Sequence, residues 1–191
     1  MSTRIVIAVI ILVWAAIVVV FGLRLFMPQS QVLPRANDVN VSDYANNSNA
    51  EVRITIQGPV VANENFRSGM ITVSPSSRSI TAYKTYNNEV IQSEVLPNNS
   101  AAFTQLMDAL QVSGFGKRTK SDQQQVASSC PTGFRYTYEL RENGNVVLQT
   151  WETSCNTPRA TFGGNVGLTN QLFRAQIPAL NQTPNYSVLL Q

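Results

Sequence analysis

The chain has 191 residues and a formal net charge of +3, and it contains two cysteines and no histidine. Histidine is the commonest metal ligand and general base, and two cysteines cannot complete a structural zinc site, so we expect no metal, no cofactor and no histidine-based catalysis. Three of the 14 basic and two of the 11 acidic residues precede position 51, so residues 51–191 carry about +2 and lack the basic face that nucleic acid binding requires.

Residues 5–21, IVIAVIILVWAAIVVVF, form an apolar run without a charge or a strong hydrogen-bonding side chain. At about 1.5 Å of rise per helical residue the run spans roughly 26 Å, and residues 22–26 extend it past the hydrocarbon thickness of roughly 30 Å. We therefore predict a transmembrane helix that contacts the lipid bilayer through residues 5–26. Residues 1–27 then form a short cytoplasmic stub and a signal-anchor.

A cleaved secretory signal is the alternative, because residues 1–4 resemble a short basic n-region. The apolar run exceeds the usual ~7 to 15 residues and no small-x-small cleavage site follows it, which favours an uncleaved anchor. The positive-inside count leans against export, since Arg24 and Arg35 outnumber Arg4 across the run. We orient the chain by its cysteines instead: a disulfide needs an oxidising compartment, which predicts a cytoplasmic N-terminus and an external domain.

Residues 28–50 are rich in asparagine and serine, include two prolines and show no sustained apolar period. Such a stretch cannot bury enough apolar surface to fold alone, so we predict a flexible linker. The remaining residues, 51–191, are long enough for one domain with its own core. We predict that this domain is extracytoplasmic.

The domain begins with a strand pattern, because Val52, Ile54 and Ile56 alternate with polar residues. Three further short runs are separated by turn residues and predict an antiparallel meander. These runs cover residues 70–74, 79–86 and 90–96.

A helix is predicted next, capped at its start by Asn98, Asn99 and Ser100 and ended by Gly114. Its apolar residues recur at helical spacing and predict a face that packs on the sheet. They are Phe103, Leu106, Met107 and Leu110.

Residues 117–129 have the composition of an exposed loop, with a basic cluster of Lys117, Arg118 and Lys120. Three charges in a loop are usually only solvated. The functional alternative is contact with an anionic wall polymer or an envelope protein, so these three residues are candidate partner contacts.

The strongest local signal is a hairpin that turns at Asn143-Gly144, the dipeptide typical of a two-residue type I′ turn. In the register that this turn predicts, Leu140 lies opposite Val147, Tyr138 opposite Gln149, Tyr136 opposite Trp151 and Arg135 opposite Glu152. An aromatic pair then falls on one face of the hairpin and an ion pair on the other.

Cys130 and Cys155 lie at the open end of this hairpin, where the two strands bring them within reach of a bridge. We predict a structural disulfide, because the spacing is not C-x-x-C and no histidine is present to activate a thiolate. The same pair clamps the base of the predicted hairpin.

After the second cysteine, residues 156–167 are rich in turn formers. Residues 168–177 predict a second short helix stopped by Pro178, and residues 186–190 predict a terminal edge strand. The fold class is therefore α+β, with an N-terminal transmembrane helix and an antiparallel sheet covered by one or two helices.

Catalysis without histidine would need a pair of carboxylates in a cleft, as in glycoside hydrolysis. Glu139 and Glu152 lie on the hairpin, where cross-strand ion pairs are the simpler expectation, and Asp108 lies on the polar side of the first helix. We therefore expect no enzyme activity. The alternatives are a histidine-free hydrolase and a surface-acting enzyme inhibitor that would present residues 156–164 as an exposed loop.

Two motifs of the hairpin resemble those of uncharacterised signal-anchored exported proteins of bacteria. They are Cys-Pro-x-Gly-Phe-x-Tyr at residues 130–136 and Trp-x-Thr-Ser-Cys at residues 151–155. The resemblance covers mainly residues 70–178, and it implies a location in the cell envelope but no activity and no functional residue.

These observations predict a membrane-anchored, non-catalytic binding or assembly module, with an envelope protein or a wall polymer as its partner. Exposed aromatic side chains are further candidate contacts, although packing within a sheet is their commoner role. They are Tyr83, Tyr86 and Trp151.

Overall fold

The computed structural model of the protein describes residues 38–178, 180 and 186. The predicted transmembrane helix over residues 5–26, the first part of the predicted linker and the predicted terminal strand beyond residue 186 lie outside the described residues. Within the described part, no helix is both long and apolar enough to cross a membrane.

Six strands form one antiparallel sheet, and two helices pack on one of its faces. The strands are β1 (Ala50–Gln57), β2 (Arg67–Val73), β3 (Ser77–Lys84), β4 (Glu89–Pro97), β5 (Arg135–Glu142) and β6 (Asn145–Thr153). The helices are α1 (Ser100–Ser113) and α2 (Val166–Arg174), with short 3₁₀ turns at Val41–Tyr44, Asn63–Asn65 and Ala127–Ser129. The order across the sheet is β4-β3-β2-β1-β5-β6. The predicted α+β class with an antiparallel sheet and covering helices is confirmed.

The central strand β1 carries the predicted alternation. Val52, Ile54 and Ile56 are buried beneath the helices, while the residues between them face the other side of the sheet. β1 pairs with β2 on one side and with β5 along its whole length on the other. It therefore joins the meander β1-β2-β3-β4 to the hairpin β5-β6.

Helix α1 covers the sheet with the predicted apolar face. The buried residues of this face include Phe103, Leu106, Met107 and Leu110. At the start of the helix the Asn99 side chain accepts a hydrogen bond from the Ala102 N–H at 2.9 Å. At its end Gly114 adopts φ +80°, which lets the buried Phe115 return to the helix and donate its N–H to the carbonyl of Leu110 at 3.0 Å.

Helix α2 is present where the sequence predicts a second short helix, but its buried face differs. Leu168 is 37% exposed, whereas Thr169 and Asn170 are buried. Thr169 Oγ1 lies 3.0 Å from Ser113 Oγ, and the Tyr138 hydroxyl donates to Asn170 Oδ1 at 2.7 Å. Polar contacts with α1 and β5 therefore orient this helix. A pattern of apolar residues in the sequence cannot predict such polar contacts.

The predicted linker over residues 28–50 is wrong for its described part, residues 38–50. Val41 is buried in the core, and the Val39 N–H donates to the carbonyl of Gly116 at 2.9 Å. This segment has too few apolar residues to fold alone, but it packs against a domain that is already folded. The folded domain therefore begins before residue 51.

The hairpin turns at Asn143-Gly144 as predicted, with φ values of 50° and 79°. Its register is wrong by one residue beyond the turn, because a β-bulge shifts the pairing between Leu140 and Arg141. Leu140 lies opposite Leu148, Tyr138 opposite Thr150, Tyr136 opposite Glu152 and Arg135 opposite Thr153. The shift turns each β6 side chain to the other face, so neither the predicted aromatic pair nor the predicted cross-strand ion pair forms.

The predicted disulfide between Cys130 and Cys155 is confirmed, with the two Cα atoms 5.7 Å apart. Beside it the buried guanidinium of Arg135 donates to the carbonyl oxygens of Cys130 at 3.3 Å and Gly58 at 2.7 Å. Burial lowers the pKa of Arg135 from its ordinary value. A buried cation needs such hydrogen bonds, so Arg135 holds the end of β1 against the base of the hairpin.

Replacing both cysteines with alanine should lower the free energy of unfolding by about 3 kcal/mol, because the bridge joins residues 25 positions apart and constrains the unfolded chain. Urea denaturation of the full chain, followed by circular dichroism, measures this loss. Reduction of the wild-type protein should lower the midpoint similarly and serves as the control for lost side-chain packing. An unchanged midpoint would contradict the prediction.

Gly116→Ala should lower the free energy of unfolding by about 1–3 kcal/mol, because a Cβ there overlaps the carbonyl oxygen of Val39. Gly167→Ala is the matched control. A Cβ at position 167 makes only an ordinary contact at 3.6 Å, and alanine within α2 should stabilise the protein by about 0.5–1 kcal/mol. Urea midpoints that shift in the same direction for both variants would contradict the docking of residues 38–50.

Candidate interaction surface

The predicted basic contacts lie on the segment that follows α1, beside β6. Lys117 and Lys120 are exposed. Arg118 is held in place, because its backbone N–H donates to Asp38 Oδ1 and its guanidinium donates to the carbonyl of Gln149, both at 2.9 Å. The cluster therefore offers two exposed cationic side chains, and its third member binds the edge of the sheet.

Residues 160–163 cover the outer edge of β6. The N–H groups of Thr161 and Phe162 donate to the carbonyl of Trp151 at 3.1 and 3.0 Å, and the Trp151 N–H donates to Thr161 Oγ1 at 3.0 Å. Thr161 and Phe162, within the predicted loop over residues 156–164, are therefore part of the folded edge. Trimming this loop to test for an enzyme inhibitor would expose β6.

Two of the predicted aromatic contacts have structural roles. Trp151 is 5% exposed and donates its indole N–H to the carbonyl of Gln123 at 2.8 Å, so its side chain packs within the domain. Tyr86 is more exposed, but its ring stacks on Phe66 with centroids 4.1 Å apart, and its hydroxyl donates to the carbonyl of Val61 at 2.8 Å. The Tyr86 side chain thus holds the β1–β2 loop.

Glu139 and Glu152 lie on opposite faces of the sheet, so they cannot act together as a carboxylate pair. Glu139 lies opposite Arg53 on the face away from the helices, and it forms ion pairs with Arg53 at 3.6 Å and Arg141 at 3.2 Å. The predicted ion pairing of Glu139 is confirmed. Glu152 lies opposite Tyr136, on the face that the helices cover.

Glu152 lies in a half-buried polar group on the helix side. Burial raises its pKa above the ordinary value of 4.5, and a hydrogen bond from the Thr153 N–H at 2.8 Å opposes this shift. Burial also raises the pKa values of Tyr136 and Tyr138, so both phenols are protonated at neutral pH. Tyr138, which donates to Asn170, and Glu152, which accepts from Thr153, are hydrogen-bonding groups of the packed interior.

The opposite edge of the sheet is β4, which pairs only with β3 among the described residues. Its exposed side chains are apolar at several positions: Val95 is 68% exposed and Val90 is 56% exposed. Natural edge strands commonly carry lysine, proline or a covering segment at such positions. β4 is therefore an edge strand whose outer side pairs with no other described strand.

The β3–β4 ladder fixes which backbone groups of β4 point outward. The Asn98 N–H donates to the carbonyl of Ser76 at 3.0 Å, in line with the ladder, so this is a hydrogen-bonded pair. Bonded and non-bonded pairs alternate along an antiparallel ladder. Ser93 and Val95 consequently belong to non-bonded pairs, and their N–H and C=O groups point away from β3.

The two ends of β4 are protected, whereas no described residue pairs with the outer side of its middle. Pro97 lacks an N–H, and its carbonyl accepts from the Arg78 guanidinium at 3.0 Å. At the other end a bulge interrupts the ladder, and Glu89 forms an ion pair with Lys84 at 2.9 Å. We call the stretch between these ends, residues 92–96, the β4 edge, and its outward backbone groups are those of Ser93 and Val95.

The sequence analysis predicts a strand over residues 90–96 but none of its residues as contacts. One signal of exposure is present, because the run does not alternate cleanly between apolar and polar residues as a half-buried strand does. β4 lies at an edge of the sheet because β1 pairs with β5 on the side away from β2. No local pattern contains that information.

Among the described residues, no group of three or more histidine, cysteine, aspartate or glutamate side chains is placed to hold a metal ion. Both cysteines are joined in the disulfide. Comparison with known proteins finds no family model that matches the chain and no curated protein that is similar to it. Function must therefore be inferred from the surface of the domain.

Glu152→Gln should stabilise the protein more at about pH 7 than at about pH 4. Because the pKa of Glu152 is raised on folding, the folded state binds more protons between the unfolded and folded pKa values, and stability falls as pH rises through that window. Glutamine removes this loss. Urea denaturation of both proteins at the two pH values measures the difference, and a gain confined to the lower pH would contradict the assignment.

Proposed function

We propose that the protein is a single-pass membrane protein of the cell envelope whose external domain is a non-catalytic binding or assembly module. We propose further that the domain binds its partner by strand addition to the β4 edge. In strand addition, backbone hydrogen bonds supply affinity and alternate side chains supply specificity. The β4 edge offers both, with outward backbone groups at Ser93 and Val95 and an exposed valine beside them.

The contrast between the two edges of the sheet is the observation that carries the proposal. The edge of β6 is covered by residues 160–163 and by Arg118, whereas among the described residues β4 pairs only with β3. An uncovered apolar edge is an aggregation hazard unless a partner occupies it. A specific partner at the β4 edge accounts for this difference.

The proposed location rests on two other features. The predicted transmembrane helix over residues 5–26 is long enough to span a bilayer, and the disulfide is typical of an oxidising compartment outside the cytoplasm. Lys117 and Lys120 lie beside β6, which is separated from β4 by four strands and lies about 24 Å from it at the usual strand spacing. In this proposal they are not part of the strand-addition site.

The location is tested with single cysteine variants of the full chain in intact cells, since the native cysteines are paired. Val112→Cys, at a position that is 83% exposed, should react with a membrane-impermeant thiol reagent. Ser2→Cys should react only after the membrane is permeabilised. The reverse pattern would overturn the proposed orientation.

The binding role is tested by capture of cross-linked partners with full-length Val95→Lys. A charge at the β4 edge should reduce the retained partner about tenfold, because a lysine on an edge strand disfavours the pairing of another strand beside it. Val112→Lys is the matched control, since it places the same charge at an exposed valine on α1. Equal retention by both variants would rule out the β4 edge as the binding site.

A further inference from the structure

We infer that residues 187–191 of this same chain, SVLLQ, occupy the β4 edge as an added strand until a binding partner displaces them. We call these residues the 187–191 segment. The inference rests on the proposed function and names the regulation of its binding site. The sequence predicts a terminal edge strand over residues 186–190, and the support comes from where the chain lies just before this segment.

The chain that follows α2 passes the end of β4. The guanidinium of Arg78 donates to the carbonyl of Gln176, two residues beyond α2, at 3.1 Å. The same guanidinium donates to the carbonyl of Pro97, the last residue of β4, at 3.0 Å. Arg78 therefore joins this part of the chain to β4, ten residues before Tyr186.

Tyr186 lies beside the middle of β4 on the helix face, and it is fully buried in the core. Burial raises the pKa of its phenol, the nearby Glu94 carboxylate adds to this shift, and the side chain of Gln92 opposes it. Gln92 lies opposite Ala82 and Glu94 opposite Ile80, and both of these β3 residues are buried beneath the helices. The 187–191 segment therefore follows directly from a residue that packs on β4.

The composition of the 187–191 segment suits this edge. The segment has no charged side chain, and its three middle residues are all apolar. Because successive side chains of a strand point to opposite faces, an apolar side chain falls on each face of the sheet in any register. One of them can therefore cover Val95, which is 68% exposed on the face away from the helices.

The 187–191 segment also has the advantage of being attached. Five extended residues span about 17 Å, which matches the length of the β4 edge. Tyr186 is already fixed in the core, so the pairing orders few further residues and costs little chain entropy. A separate chain must in addition lose its translational and rotational freedom. A partner strand therefore has to outcompete an occupant that is held beside the edge.

The test is amide hydrogen exchange, measured by NMR on the full chain in detergent micelles and on a variant that lacks residues 187–191. The N–H groups of Ser93 and Val95 point away from β3, so an added strand protects them. If the segment occupies the edge about nine-tenths of the time, its removal should speed their exchange about tenfold. The N–H groups of Glu94 and Leu96 point toward β3 and are the matched controls, so their slow exchange should not change.

Two results would overturn the inference. Slow exchange at Ser93 and Val95 in both proteins would mean that something other than the 187–191 segment covers the edge. Fast exchange in both proteins would mean that the segment does not pair there.

The regulatory role is tested by the capture of cross-linked partners. At the same occupancy, removal of residues 187–191 should raise the retained partner about tenfold, because the binding-competent edge is then always open. Unchanged retention would contradict this role. If exchange does not respond but Val95→Lys still loses the partner, the proposed function stands and the segment is excluded. If exchange responds but Val95→Lys retains the partner, the segment stands and the proposed function fails.

Discussion

The antiparallel pairing of β1 with β5 holds the two halves of the domain together. β2, β3 and β4 follow β1 along the chain and pair in order, whereas β5 arrives from a distant part of the sequence, so its pairing carries the larger cost in chain entropy. At the end of this ladder Gln57 lies opposite Arg135. The guanidinium of Arg135 holds the carbonyls of Gly58 and Cys130, and the disulfide closes the base of the hairpin beside it. The β1–β5 ladder, whose formation costs the most chain entropy, is thus stabilised at one end by the hydrogen-bonded Arg135 and by the disulfide.

That pairing also determines the two edges of the sheet. Because β5 takes the free side of β1, the hairpin extends the sheet in one direction and leaves β4 as the last strand in the other. The β6 edge receives a cover from residues 160–163 and Arg118, while the middle of β4 keeps outward backbone groups and the exposed Val95. A neutral, histidine-free domain of this kind can offer backbone hydrogen bonds and shape to a partner. These features favour assembly through a strand edge over catalysis by a pair of carboxylates in a cleft. Glu139 and Glu152 cannot form such a pair, because they lie on opposite faces of the sheet.

Much of the fold is predictable from the sequence because it is local. The alternation in β1, the cap at Asn99, the Asn143-Gly144 turn and the cysteine pair each depend on residues close together in the chain or on the turn that joins them. The predicted pairing in the hairpin is wrong where the register set by the turn is extended along the whole of both strands. The turn is correct, but a single bulge reverses the faces of β6, so that Trp151 is packed under the loop after α1 instead of facing Tyr136. The candidate site was missed for a related reason, since an edge strand and an inner strand of a meander can have similar sequences.

By itself the sequence determined the elements that backbone sterics and hydrophobic periodicity dictate: the strands, the helix α1, the hairpin turn, and an apolar run over residues 5–21 that residues 22–26 extend to the length of a membrane span. Only the tertiary structure decided that residues 38–50 dock on the domain, that a bulge offsets β5 from β6, and that β4 is an edge whose outward groups lie at Ser93 and Val95. The physical reason is that local conformation follows from neighbouring residues. Docking, register and strand order are set by many small contacts between distant residues, whose sum no short stretch of sequence contains.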